Sequence, residues 1–92
     1  MSENNNKLKE LRDSIDEIDA GIINLLKQRL HTVSEIGAYK KQHNIPLTDE
    51  AREEEILAKA AAVLGPEAGE EIFKAIINSS KALESKQENK SE

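Results

Sequence analysis

Cysteine and tryptophan are absent from the 92 residues, phenylalanine and tyrosine occur once each, proline occurs twice, and there is no long apolar run. Without Cys there is no disulfide scaffold, no thiolate zinc site and no cysteine nucleophile. A chain of this length is one domain with a modest core, so it needs stability from elsewhere, and oligomerisation is the expected source. Aromatics make up 2%, with two Val and two Thr, while Ala, Leu, Glu and Lys dominate. That composition favours an all-α chain. No segment nears the roughly eighteen apolar residues of a membrane span. The start, Met1-Ser2-Glu3-Asn4-Asn5-Asn6, is polar and acidic where a secretory signal is basic and then apolar. A cytoplasmic protein with no membrane partner is expected. Thirteen Lys plus Arg against eighteen Asp plus Glu leave a net charge of −5, a poor match to a phosphate backbone, so no nucleic acid partner is expected.

The residues that are there set out helices. From Leu8 the apolar positions Leu8, Leu11, Ile15, Ile18, Ile22 and Leu25 alternate steps of three and four, one stripe on a helix. No proline interrupts residues 7–43, and Asn44-Ile45-Pro46 stops the helix because the residue before proline resists the α region. The predicted helix is about 55 Å long, whereas a compact globule of this size is roughly 32 Å across. Its stripe overhangs the domain, and another copy of the chain is the simplest cover. Thr48 and Asp49 can cap a second helix over 49–64, and Gly65-Pro66 ends it and starts a third over 66–84 carrying Ile72, Phe73, Ile76, Ile77 and Leu83. Gly69 weakens the first turn of the third helix. Residues 1–6 and 85–92 hold little or nothing apolar and are expected to be frayed.

Polar residues interrupt the apolar faces. The rule that builds the first stripe places Arg29, Thr32 and Ile36 on its continuation, and Lys40 returns to within about 20° of Arg29, about 16 Å further along the helix. Arg12 lies about 100° away, so on a straight helix it can join them only from a partner chain. Asp49, Arg52 and Glu53 share a face with Ile56, Ala60 and Val63, and the Phe73, Ile76, Ile77 face continues through Ser80 to Glu84. Each group alone has an ordinary account, in snorkelling, helix-dipole stabilisation or an exposed helix end. Together, if the apolar faces meet, they form a pocket of cations with a few acceptors and hydroxyls, because buried charges need partners or a ligand. His31 and His43 match no metal-ligand spacing and read as surface residues. There is no Gly-rich phosphate loop, and Ser80 has no nearby His, which leaves it the role of a hydroxyl donor. Such a site binds, orients and stabilises charge without covalent chemistry.

Four segments, in order, carry a resemblance: Leu11-Arg12-Asp13-Ser14-Ile15-Asp16-Glu17-Ile18-Asp19, Leu25-Leu26-Lys27-Gln28-Arg29, Ile36-Gly37-Ala38-Tyr39-Lys40 and Pro46-Leu47-Thr48-Asp49-Glu50-Ala51-Arg52-Glu53. Over about residues 7–84 the chain resembles the all-helical class of chorismate mutase. The resemblance implies an intertwined homodimer of three-helix chains, with two sites that each draw on both chains. It implies conversion of chorismate to prephenate, a one-substrate rearrangement in aromatic amino-acid biosynthesis, with no cofactor and no metal. By the same resemblance Arg12 reaches the partner's site, Arg12 and Arg29 bind the substrate carboxylates, and Lys40 touches a carboxylate and the ether oxygen. Asp49 and Glu53 stand near the ring hydroxyl, Arg52 adds a cation, Ser80 supplies a hydroxyl, and Ile36, Ile56 and Ile77 wall the pocket. Glu84 occupies a position where many bacterial members have glutamine, and it must be protonated to donate a hydrogen bond to the ether oxygen. Two alternatives stand beside this: an isochorismate-pyruvate lyase, which shares the fold and a similar dicarboxylate, and a non-catalytic helical dimer acting as a regulatory or binding module.

Overall fold

The computed structural model describes residues 2–90. They form three helices: α1 (Ser2–Gln42), α2 (Glu50–Leu64) and α3 (Pro66–Lys90). The order and the breaks agree with the sequence reading, but the outer helices are longer. Residues 2–6 and 85–90 are helical, since neither stretch holds a Pro or Gly to stop a helix. Residues 1, 91 and 92, also expected to be frayed, lie outside the described residues.

Each break has a local cause. α1 ends where Asn44 turns left-handed (φ 56°). The Ile45 N–H then donates to Lys40 O (2.9 Å) and the Asn44 N–H to Lys41 O (3.3 Å), the paired bonds of a helix stop, with Pro46 just beyond. Asp49 is extended (φ −135°, ψ 91°), and its carboxylate accepts the Arg52 N–H at 3.1 Å, capping α2. Gly65, at φ 99°, donates its N–H to Ala61 O and closes α2. Pro66 then opens α3, where a missing N–H costs nothing.

The α2–α3 turn depends on Gly69, which is buried. A Cβ there would lie 2.6 Å from Ala60 O and 2.8 Å from Ala61 N, so the start of α3 rests directly on the backbone of α2. Ala60, opposite, is one of three buried apolar residues among the described residues, with Val33 of α1 and Ile77 of α3. α3 packs against both α1 and α2.

The core therefore sits at one end of the molecule. The chain measures 62 × 28 × 13 Å, as long as α1 itself and scarcely thicker than one helix. Its radius of gyration is 17.9 Å, against about 12 Å for a compact chain of this length. The excess is the N-terminal stretch of α1, where Leu8, Leu11, Ile15, Ile18, Ile22 and Leu25 are all exposed. Among the described residues no helix is long and apolar enough to cross a membrane.

Candidate active site

The C-terminal half of α1, the first two turns of α2 and the C-terminal half of α3 enclose a cavity of about 290 Å³, open on one side. Helical spacing fills its wall: Arg29, Thr32, Val33, Ile36 and Lys40 from α1, Arg52, Glu53 and Ile56 from α2 with Asp49 at its cap, and Ile77, Lys81 and Glu84 from α3. The volume is at the small end of ligand clefts, enough for one small molecule. Four cations face three carboxylates across it, so the wall suits an anion.

The two cations on α1 are held in place before any ligand arrives. Arg29 Nη1 donates to Ser80 Oγ at 2.5 Å, and Ser80 Oγ donates in turn to Ile76 O at 2.8 Å. Ser80 is only 5% exposed, so its one proton is committed to the helix and its lone pair is turned to the guanidinium. Lys40 Nζ donates to Leu47 O at 2.8 Å, which draws the α1–α2 connection back over it, and lies 3.7 Å from Glu84 Oε1. An ammonium has three donors, so Lys40 keeps capacity for a ligand. Preorganised donors of this kind need no rearrangement when charge develops beside them.

Glu84 is the anomaly of the site. It is 9% exposed, and its buried Oε1 has no hydrogen-bond partner, since 3.7 Å to Lys40 exceeds hydrogen-bond length. An unmatched polar atom facing a cavity is costly until a ligand answers it. Arg52 is paired within α2, Nη1 to Glu55 Oε1 at 2.5 Å, while Asp49 is occupied with the α2 cap. Glu53 pairs with Lys81 across the α2–α3 boundary at 3.2 Å.

The structure brings Arg29, Lys40, Asp49, Arg52, Glu53 and Glu84 to one cavity, with Ile36, Ile56 and Ile77 as apolar wall. Ser80 stands behind the wall, at Arg29. Arg12 is exposed on α1, seventeen residues from Arg29, or about 25 Å along the axis, and its own chain does not bring it to the cavity. His31 and His43 are exposed; His43 stacks on Tyr39 at 4.0 Å. Sequence reasoning missed Lys81. The signal was available, since Lys81 is four residues beyond Ile77 and shares its face.

The family Chorismate mutase type II matches residues 11–85, a span that contains every residue of the cavity wall as well as Arg12. The chain belongs to this family. Among curated relatives, the bifunctional chorismate mutase/prephenate dehydratase of Aquifex aeolicus is 36% identical over 88 residues, covering 87% of this chain and 24% of that protein. The chorismate mutase of Methanocaldococcus jannaschii is 32% identical over 83 residues, 85% of this chain and 84% of that one. The 3-dehydroquinate dehydratase of Pyrobaculum aerophilum is 31% identical over 77 residues, 84% of this chain and 24% of that protein. The chain thus spans about a quarter of the length of two of these relatives. Among solved structures, a conserved hypothetical protein from Pyrococcus furiosus has a TM-score of 0.76 and 44% identity, covering 85% of this chain and 95% of that one. For a member of the chorismate mutase type II family, the cavity between the three helices is the place to seek the chemistry.

Proposed function

We propose that this chain rearranges chorismate to prephenate, acting in the cytoplasm as a homodimer in which each cavity is completed by Arg12 of the partner subunit. One observation carries the reading above the others: Arg29 and Lys40 are held toward a single small cavity by Ser80, Leu47 O and Glu84. Family membership supports the activity, and the uncovered stripe on α1 supports the dimer. That stripe matches the case of a helix whose apolar face is completed by a second copy.

The reaction asks for what the wall contains. Chorismate is a dicarboxylate whose C–O bond breaks as a C–C bond forms within the same molecule, so no base, nucleophile or group transfer is required. Arg29 and Arg12 of the partner subunit hold the two carboxylates and select the compact conformer with its reacting carbons close together. Lys40 stabilises the negative charge that grows on the ether oxygen. To donate to the same oxygen, Glu84 must carry a proton, and its buried Oε1 is the carboxyl oxygen with no hydrogen-bond partner. Ile36, Ile56 and Ile77 keep water from the reacting face.

The test is an ultraviolet assay of chorismate loss with purified protein, with the product identified and isochorismate supplied in parallel. The expected result is stoichiometric prephenate from chorismate. Cleavage of isochorismate in its place would assign the lyase, and inertness toward both would leave a binding module.

A further inference from the structure

The mutase reading assigns no role to Lys81, yet Lys81 is one of the four cations on the cavity wall. It is the only one of them whose ion pair joins α3 to α2: Nζ lies 3.2 Å from Glu53 Oε2, with side-chain exposures of 42% for Lys81 and 27% for Glu53. As a source of stability the pair is weak, because an ion pair this exposed is screened by water and contributes little. Its significance is local. Glu53 is a carboxylate in a cavity that takes a dianion, and like charges at this range repel each other with little solvent between them. Lys81 is the group positioned to cancel that repulsion. The other cations are engaged elsewhere: Arg29 with Ser80, Lys40 with Leu47 O and Glu84, Arg52 with Glu55.

We propose that Lys81 is a positioning residue of the site, holding Glu53 across the α2–α3 boundary and neutralising it so that a dicarboxylate can bind beside it. The inference rests on the mutase reading and adds a determinant of substrate affinity to it. Lys81 acts on the bound dianion as a whole, in ground state and transition state alike, so its loss weakens binding and leaves the chemical step almost untouched. Because both partners are partly exposed, the effect must also fade as salt screens them.

The experiment compares wild type, Lys81→Met, Lys81→Gln and Lys81→Arg, reading kcat and KM for chorismate and, independently of turnover, the calorimetric Kd for prephenate. Met retains the aliphatic stem that covers the wall, so packing is preserved. Expected for both neutral variants is a rise of about fivefold in KM and in Kd, kcat within about twofold of wild type, and recovery with Arg. The rise should shrink between about 0.15 M and 0.5 M salt, and it should be largely lost when the same change is made on Glu53→Gln, where no charge is left to cancel. Unchanged KM and Kd in an active protein overturn the inference alone, as does an equal effect in the Glu53→Gln background. A wild type that neither consumes chorismate nor binds prephenate overturns the mutase reading and this inference with it.

Discussion

The two halves of α1 follow the same three-four spacing and meet opposite fates. In the N-terminal half Leu11, Ile15 and Ile18 are 51%, 54% and 56% exposed, whereas in the C-terminal half Val33 is 6% exposed and Arg29 and Lys40 are partly covered. The difference is not in the helix but in what lies across from it. α2 and α3 are 15 and 25 residues against the 41 of α1, and it is α3, joined to α2 by the tight Gly65-Pro66 turn, that packs on the far end of α1. An apolar stripe is thus a statement that a surface will be buried, without saying by which chain. The covered half is charged where it faces the cavity, and the uncovered half is apolar where it faces solvent. The first is the wall of the candidate site, and the second is the surface that the proposed dimer buries.

The strongest way to break this comparison is to charge the uncovered half. Ile15→Glu or Ile18→Glu would bury an unpaired carboxylate at the proposed dimer seam, at a cost no marginal interface tolerates. The account expects loss of the dimer in sedimentation and of essentially all activity, whereas Val63→Glu, at a side chain already 84% exposed, leaves both as they were. A folded, active 10.2 kDa monomer from the Ile15 variant would show that the stripe is only an exposed surface.

A smaller effect is expected in the covered half. Lys40→Ala removes a preorganised cation from the position of developing charge, which costs on the order of 3 kcal/mol in the barrier, about a hundredfold in kcat. Steady-state kinetics on the folded variant checks it, and loss of thermal stability with full specific activity would assign Lys40 to packing. Gly69→Ala tests the joint that holds α3 against α2. Its Cβ meets the Ala60 carbonyl at 2.6 Å, so the helices must separate, at about 1–3 kcal/mol, while kcat/KM of the folded fraction stays close to wild type. Thermal unfolding reads the first and kinetics the second.

The smallest effect is one of shape. A glutamine donates a hydrogen bond at every pH, while a carboxyl donates only when protonated. The account therefore expects the pH profile of kcat/KM to differ in shape between wild type and Glu84→Gln, with the activity of Glu84→Gln near neutrality maintained or improved. Profiles of the same shape would make Glu84 a bystander.

Much of this was legible in the residues, and the reasons are local. Spacing exposed the α1 stripe and the common direction of Arg29 and Lys40, because both follow from the helical repeat alone. Asp49, Gly65 and Pro66 announced the ends of helices by the backbone groups they supply or lack. What spacing does not carry is a side chain's second partner. The sequence offers Ser80 as a hydroxyl donor, and in the structure its proton goes to Ile76 O while Arg29 takes its lone pair, an arrangement set by how deeply α3 packs. Gly69 read as a weak first turn, and the structure shows it as a contact point with Ala60, which depends on the partner helix. Lys81, a lysine at a helix edge, reads as solvated until the neighbouring helix brings Glu53 to it. The helices also run further at both ends than the apolar pattern, since nothing in 2–6 or 85–90 forbids them.

The central claim is that the cavity of one chain is half of a site. Arg29 stands at that cavity and Arg12 about 25 Å away along the same helix, so the two can act together only across an interface. Arg12→Ala and Arg29→Ala, each nearly inactive, should therefore complement each other when mixed. With equal amounts and complete exchange, half the dimers are mixed and each holds one intact site, so activity should return to about a quarter of wild type. Mixed dimers verified by mass that are no more active than their parents would contradict a shared site.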